Sequence, residues 1–398
     1  MKTSSACLLT TDSGDRELRT LQVGSRWSLE NGGGGGDRIF ALLAGNLPAQ
    51  GVGFTGVVTG PDDLSATTNG LVRSFSPPTA STVQRWLGAR RTISAILSSS
   101  KTDLVASHFA LYISSALDKI RHLPHVVHFH GPWAAESLEE GSGRLSVAGK
   151  YQLEKAVYRR AERVIVLSKA FAELAHRDYG VDERKLRIIP GAVDTEYFDS
   201  GVTRASARAL LGWPSDRPIL VAVRRLSSRM GLDRLIQAMT AVRAAQPDAL
   251  LYIVGQGTQR QTLEGQVAAL GLDRNVRFMG FLPAQQLPLA FRAANINVVP
   301  TKALEGFGLV AAEALAAGTP SMVTPVGGLP EVVSLLSRSL IFRTSAAADI
   351  ANGLILALRG ELLLPSEDAC RRHAVENFSA SLMAARTTVI YREAVRGA

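Results

Sequence analysis

From Pro218 onward, short runs of β-branched and apolar residues alternate with longer segments of helical spacing, and this alternation leaves few folds open. The runs lie at 219–223, 250–254, 276–279, 296–299 and 321–324. Between them Leu232, Leu235 and Ile236 recur at helical spacing, as do Leu263, Val267 and Leu270. Each connecting helix therefore carries an apolar stripe to lay on a sheet. Strands joined by helical crossovers run parallel, and a parallel sheet needs cover on both faces. The expected class is α/β, a doubly wound parallel sheet. The first half repeats the pattern less cleanly, with runs at 54–58, 103–107, 125–129, 163–167 and 186–189, and reads as a second such domain. A turn-rich stretch near 194–214 is the expected join. The boundaries read from this are 1–198 and 199–377. A long closing helix follows over 378–398, with Leu382, Ala385, Val389 and Ala394 as its apolar positions.

A chain of 398 residues, 46% hydrophobic, has material for two cores. Lys and Arg number 44 against 35 Asp and Glu, so the net charge of +9 attracts phosphates, anionic lipid and nucleic acid without specificity. Cys7 and Cys370 are the two cysteines, with neither disulfide-framework nor metal-site spacing, which points to a reducing compartment and a cytoplasmic location. Residues 1–20 carry no export signal, and no apolar run approaches the roughly 18 residues that span a bilayer. A basic segment at 150–163, with Lys155, Arg159 and Arg160, could rest on an anionic membrane's inner face.

The segment from Glu305 to Gly318 follows a strand and reads as a loop, Gly306-Phe307-Gly308-Leu309, turning into a helix of small and apolar residues that ends at Gly318. Glu313 sits in the middle of that helix. A carboxylate buried there is costly unless hydrogen-bond donors reach it, and two adjacent ribose hydroxyls would serve. Glycines before a helix start let backbone amides approach a diphosphate. Pairing of Glu313 with a neighbouring Arg, and capping by Glu305, is the plain structural alternative. Arg224 and Arg225 follow the first strand of this half, at the carboxyl end where open sheets bind ligands, and Arg229 lies just beyond. Guanidinium groups there could neutralise two phosphates and stabilise a departing diphosphate.

Taken together, these pieces resemble the GT-B-fold retaining glycosyltransferase family 4. The family's paired acids appear as Glu305 and Glu313, its strand-Arg-Leu motif as Arg225-Leu226 before Gly231, and its Gly-x-Gly turn as Gly255-Gln256-Gly257. Its glycine pair before a second acid appears as Gly327-Gly328-Leu329-Pro330-Glu331, and residues 188–194 with Phe198 resemble its interdomain signature, although Gly191-Ala192 departs from the usual Asn-Gly. The resemblance implies two Rossmann-like domains facing a central cleft, with the closing helix and its Tyr391 crossing back toward the first domain. It also implies a nucleotide-sugar donor, with Glu313 on the ribose, Glu305 on the sugar and Arg225 on the diphosphate, helped by the amides of 306–308. The family's Lys before Gly231 is Met230 here, so either Arg229 or Arg224 supplies that charge, with Arg229 preferred, or phosphate binding is weakened.

In the first half, His128 and His130 fall on one side of a strand-like run, with His130 nearest its carboxyl end. The resemblance gives His130 the role of touching the donor sugar, with His108 a weaker candidate. Glu30-Asn31, the glycines 32–36 and Asp37 resemble the family's first glycine-rich loop, in which Gly34 and Gly35 would approach the donor. A flexible linker is the other reading of five glycines. The lead-in at 11–29 is long for such a loop. No paired-Asp motif or His/Cys/carboxylate cluster suits a divalent ion, so no metal or other cofactor is expected. No carboxylate nucleophile lies near His130, and the family implies same-face displacement in which the departing phosphate helps deprotonate the acceptor. A nucleotide-sugar epimerase and a non-catalytic nucleotide-sugar-binding protein remain alternatives. A dinucleotide dehydrogenase is excluded by the lack of a GxGxxG turn with its distant acid.

Overall fold

The computed structural model describes residues 17–27 and 34–397. The first sheet contains β1 (Leu18–Arg26), β2 (Val52–Thr59), β3 (Val72–Ser76), β4 (Leu104–Ser107), β5 (His125–Phe129), β6 (Arg163–Val166) and β7 (Leu186–Ile188). The second contains β8 (Ile219–Val223), β9 (Leu250–Val254), β10 (Val276–Gly280), β11 (Ile296–Val299) and β12 (Ser321–Val323). Their orders are β3-β2-β1-β4-β5-β6-β7 and β10-β9-β8-β11-β12, and every pairing is parallel. In both sheets the winding reverses beside the first strand, between β1 and β4 and between β8 and β11. That reversal opens a crevice at the carboxyl ends of the strands.

Two expected features need correction. Neither β1 nor β3 is visible as an apolar run, and 18–26, taken as part of a loop lead-in, is a nine-residue central strand. Its interior is partly polar. Thr20 and Gln22 are buried at 3% and 0% exposure, with the Gln22 amide donating to Thr20 Oγ1 at 2.9 Å and the Thr20 hydroxyl donating to the Gly53 carbonyl at 2.8 Å. Buried polar groups that satisfy one another replace the hydrophobic signal. The closing helix, Ala380–Arg396, is also turned from the expected stripe. It buries Met383, Ala384, Thr387, Thr388, Tyr391 and Ala394 and leaves Val389 exposed.

That helix belongs to the first domain's core. Met383, Ala384, Tyr391 and Ala394 pack among Ile39, Phe40, Leu43 and Val126, and Glu393 accepts from Arg163 at 3.0 Å and from Arg187. Among the described residues no helix is long and apolar enough to cross a membrane.

Candidate active site

Among the described residues, polar contacts cross from one sheet's carboxyl edge to the other. Arg38, in the first turns of the helix Gly35–Asn46, pairs with Glu313 in the helix Leu309–Ala316. Arg229 reaches Glu136 Oε1 at 3.0 Å, and Arg225 reaches Glu140 Oε1 at 3.4 Å. Glu331 accepts the backbone N–H of Lys169 at 2.9 Å, at the start of the helix Lys169–Tyr179. A carboxylate there meets unpaired amides and the positive end of the helix dipole.

On the second domain's side, Arg224 is the buried centre. Its backbone continues the strand edge by donating to the Val254 carbonyl at 2.8 Å. Its guanidinium bonds both the Thr301 hydroxyl and Glu305 Oε2, and Thr301 also donates to Glu305 at 3.1 Å. Burial pushes the Glu305 carboxyl up, but the charge of Arg224 with that hydrogen bond, then Arg229 and Thr301, outweighs it and holds the group below its ordinary range. Glu305 is thus an ionised acceptor. Arg229 is also buried, donating to the Leu304 carbonyl at 2.8 Å as well as to Glu136. Burial raises the Glu136 carboxyl in spite of Arg229. Arg225, by contrast, is the exposed member, its side chain 55% accessible. Met230, in the position of the family's Lys, is buried and carries no charge into the site.

Glu313 is buried at 3% exposure, with Oε1 held by Arg38 and Oε2 without a hydrogen-bond partner. The expected ribose ligand thus shares this carboxylate with an arginine of the other domain. Charge attraction from Glu313 raises the Arg38 pKa.

The glycines have steric reasons as well. A Cβ at Gly255, whose φ is +137°, would overlap the Arg224 carbonyl, and one at Gly327, φ +55°, would overlap the Glu305 carbonyl. Only bare backbone lets these loops cross and hold Arg224 and Glu305 in place. Gly306 and Gly308 likewise yield space to Phe171 and Leu329. Phe307 and Leu309, expected among the donor-binding residues, turn their side chains into packed surroundings and offer backbone. Phe307 is buried edge-on against Phe378 and over Gly191, and Leu309 lies against Gly35 and Gly191. Gly191 replaces the family's Asn where Phe307 leaves no room for a side chain.

On the first domain's side, Gly34 caps the helix Gly35–Asn46, its N–H donating to Asp37 Oδ2 at 3.1 Å. Gly36 lies over the His130 ring, with a Cβ there 3.0 Å from His130 Cγ. Residues 30–33 of the expected loop, and Cys7, lie outside the described residues. His130 follows β5, and burial lowers its pKa to about 4. Its Nε2 is 3.0 Å from His108 Nδ1, while its Nδ1 has no partner. The structure therefore gathers His130, Gly35, Arg224, Arg229, Glu305 and Glu313 at the facing edges. Reasoning from sequence missed Arg38, Glu136 and Thr301. Position was the available signal: Arg38 and Glu136 lie in the first turns of the helices just after the glycine run and after His130, and Thr301 follows β11 by two residues.

Comparison with known proteins bears on the family and the fold. The family described as Glycosyltransferase Family 4 matches residues 33–197, and that described as Glycosyl transferases group 1 matches 203–376. A mannosylfructose-phosphate synthase of Agrobacterium fabrum is 30% identical over 240 residues, 56% of this chain and 52% of that protein. A D-inositol 3-phosphate glycosyltransferase of Saccharomonospora viridis is 33% identical over 252 residues, 61% of this chain and 58% of that protein. The chain thus spans little more than half the length of these curated relatives. Among solved structures, sucrose-phosphate synthase from Thermosynechococcus elongatus superposes with a TM-score of 0.80 at 22% identity, covering 96% of this chain and all of that one. Anabaena HepE in complex with UDP does so with a TM-score of 0.75 at 17% identity, covering 94% and 100%. The fold is GT-B, and with the two halves matched in chain order by these two glycosyltransferase models, the chain belongs to the group 1, family 4 glycosyltransferases.

Proposed function

We propose that the chain is a retaining hexosyltransferase that moves a hexose-type sugar from a UDP- or GDP-sugar to a hydroxyl of a saccharide or lipid-linked glycan, without a metal. The observation that carries this reading is Glu313 Oε2, a buried carboxylate oxygen with no donor. Leaving such a group unpaired costs about 1–3 kcal/mol, and a ribose hydroxyl is the donor a nucleotide brings. Solved forms of HepE hold UDP and UDP-glucose, which supports a donor of the same class here.

On this reading Glu305, kept ionised by Arg224, accepts hydroxyls of the transferred sugar, and His130 Nδ1 accepts another. Arg225 and Arg229, with the amides around Gly34, Gly35, Gly306 and Gly308, meet the diphosphate. Positive charge fixed in advance stabilises the leaving group as its charge grows. The bond from the sugar's anomeric carbon to the phosphate oxygen breaks, a bond to the acceptor oxygen forms on the same face, and the acceptor's proton passes to the departing phosphate.

Calorimetry with UDP, GDP and ADP in EDTA is the test. Wild type should bind one nucleotide, and Glu313→Ala should weaken it at least about tenfold, a loss of about 1.4 kcal/mol. No binding of any nucleotide to wild type would refute the reading. Turnover in EDTA, with the product's anomeric configuration read by NMR, decides metal use and retention.

The same reading places the chain in the cytoplasm, peripheral at the membrane's inner face. Support comes from the helix Arg144–Arg160, which carries Lys155, Arg159 and Arg160 toward one end and a 92% exposed Leu145 at the other. Cationic stems with an apolar anchor suit an anionic bilayer. Sedimentation with anionic but not zwitterionic vesicles is expected, weakened by Arg159→Gln with Arg160→Gln; equal recovery with both vesicles would remove the membrane contact.

A further inference from the structure

Behind His130 lies a chain of buried polar side chains that fixes which of its ring nitrogens carries the proton. Gln22 Oε1 lies 3.1 Å from His108 Nε2 and 3.1 Å from the Tyr391 hydroxyl. His108 Nδ1 meets His130 Nε2 at 3.0 Å, and the Tyr391 hydroxyl meets His128 Nε2 at 2.7 Å. The rings of His108 and His128 stack at 4.2 Å. These groups come from three strands and the closing helix.

The Thr20 hydroxyl starts the assignment. It has one proton, and the Gly53 carbonyl 2.8 Å away can only accept. Thr20 Oγ1 therefore accepts from Gln22, which sets the Gln22 amide nitrogen toward Thr20 and its oxygen toward His108 and Tyr391. The reverse amide orientation would send the Thr20 proton to Gln22 and leave two bare oxygens 2.8 Å apart at Gly53. With the Gln22 oxygen as acceptor, His108 donates from Nε2 and Tyr391 donates from its hydroxyl. Burial keeps His108 neutral, so its Nδ1 is a lone pair and can only accept. His130 must then donate from Nε2. Being neutral itself, it is left with a bare lone pair on Nδ1, the atom that has no protein partner.

We propose that Thr20 and Gln22, acting through His108, are positioning residues that hold His130 as the Nε2–H tautomer and so reserve Nδ1 as a hydrogen-bond acceptor for a hydroxyl of the transferred sugar. The second half of this statement rests on the glycosyltransferase reading above; the tautomer does not. A histidine whose tautomer is set from behind cannot swing or re-protonate as the sugar arrives, so its acceptor is ready without reorganisation. Thr20 is 3% exposed, so its influence on His130 runs through the hydrogen-bonded chain.

The test uses the full chain labelled with ¹⁵N-histidine, with His130 assigned by His130→Asn. Wild type should report a protonated Nε2 and a bare Nδ1 at His130. Thr20→Val removes the one contact that orients Gln22. The amide then gains by turning its two N–H groups toward His108 and Tyr391, and His130 should shift toward the Nδ1–H form. Thr20→Ser, which keeps the hydroxyl, should retain the wild-type signature. A protonated Nδ1 at His130 in wild type overturns the proposal whether or not any variant folds. In turnover, Thr20→Val should lower kcat about tenfold or more with KM for the donor nearly unchanged, and Thr20→Ser should restore it. An altered tautomer with unaltered kcat would refute the catalytic role. Failure of wild type to bind any nucleotide would instead sink the transferase reading and leave the tautomer assignment standing.

Discussion

Lowering the pH from 7 to 5 is expected to remove about 6 kcal/mol of folding stability through three histidines alone. His108, His125 and His128 are buried, and burial depresses all three, His125 to about 3 and the others well below 6.5. In the unfolded chain each returns to about 6.5. The unfolded state therefore binds more protons throughout the window between 6.5 and the folded values. Stability is fully present above 6.5 and falls as pH drops, by about 1.4 kcal/mol per histidine per pH unit. Set against a typical total of about 5–15 kcal/mol, this is a large share of what holds the fold, so the denaturation midpoint should fall steeply toward pH 5. Urea denaturation at a series of pH values measures it. His125→Gln, at a histidine bonded to Ser107 and outside the hydrogen-bonded His108 chain, should reduce the slope by about one proton. A slope between pH 6 and 5 of less than one proton would contradict the picture of neutral buried rings.

The second large effect concerns Arg224 and Glu305. Arg224→Met leaves the Glu305 carboxylate buried with only Thr301 and the more distant Arg229, and breaking a buried pair in this way costs about 3–5 kcal/mol. Replacing both, as Arg224→Met with Glu305→Leu, removes the stranded charge and should recover most of that loss. Activity should separate from stability. The double variant is expected to fold and to transfer about a hundredfold or more below wild type, since removing one preorganised polar contact at a reacting centre costs that much. Denaturation midpoints and initial rates on the same three proteins decide it. A double variant as unstable as the single one would mean that Arg224 matters for packing rather than for charge.

Much of the layout is legible in the sequence because parallel strands covered on both faces must be continuous apolar runs. β5, β8, β9 and β11 fall where those runs end, and Arg224, Glu305 and His130 follow from strand ends. β1 is illegible for the opposite reason: its buried positions include Thr20 and Gln22, whose value lies in hydrogen bonds that periodicity does not register. The closing helix fails similarly, since Thr387, Thr388 and Tyr391 face inward. Glu313 shows a different limit. Its cost of burial is readable from its neighbours, but the arginine that meets it lies 275 positions away, and no local pattern encodes such a partner. Phe307 stands between two glycines read as leaving room for a diphosphate. Those glycines give way to Phe171 and Leu329 instead, and the ring fills a core.

The crossing helix has a consequence for how the polypeptide is made. Tyr391 is fully buried among residues that include Phe40 and Val126, so the first domain, although synthesised first, lacks part of its interior until position 394 has left the ribosome. The core around the second sheet uses residues no later than Phe378 and so can close earlier. Order of synthesis and order of completion are reversed. The nascent first domain must wait with an apolar groove open along Ile39, Phe40 and Leu43, the surface on which a chaperone or another nascent copy would act.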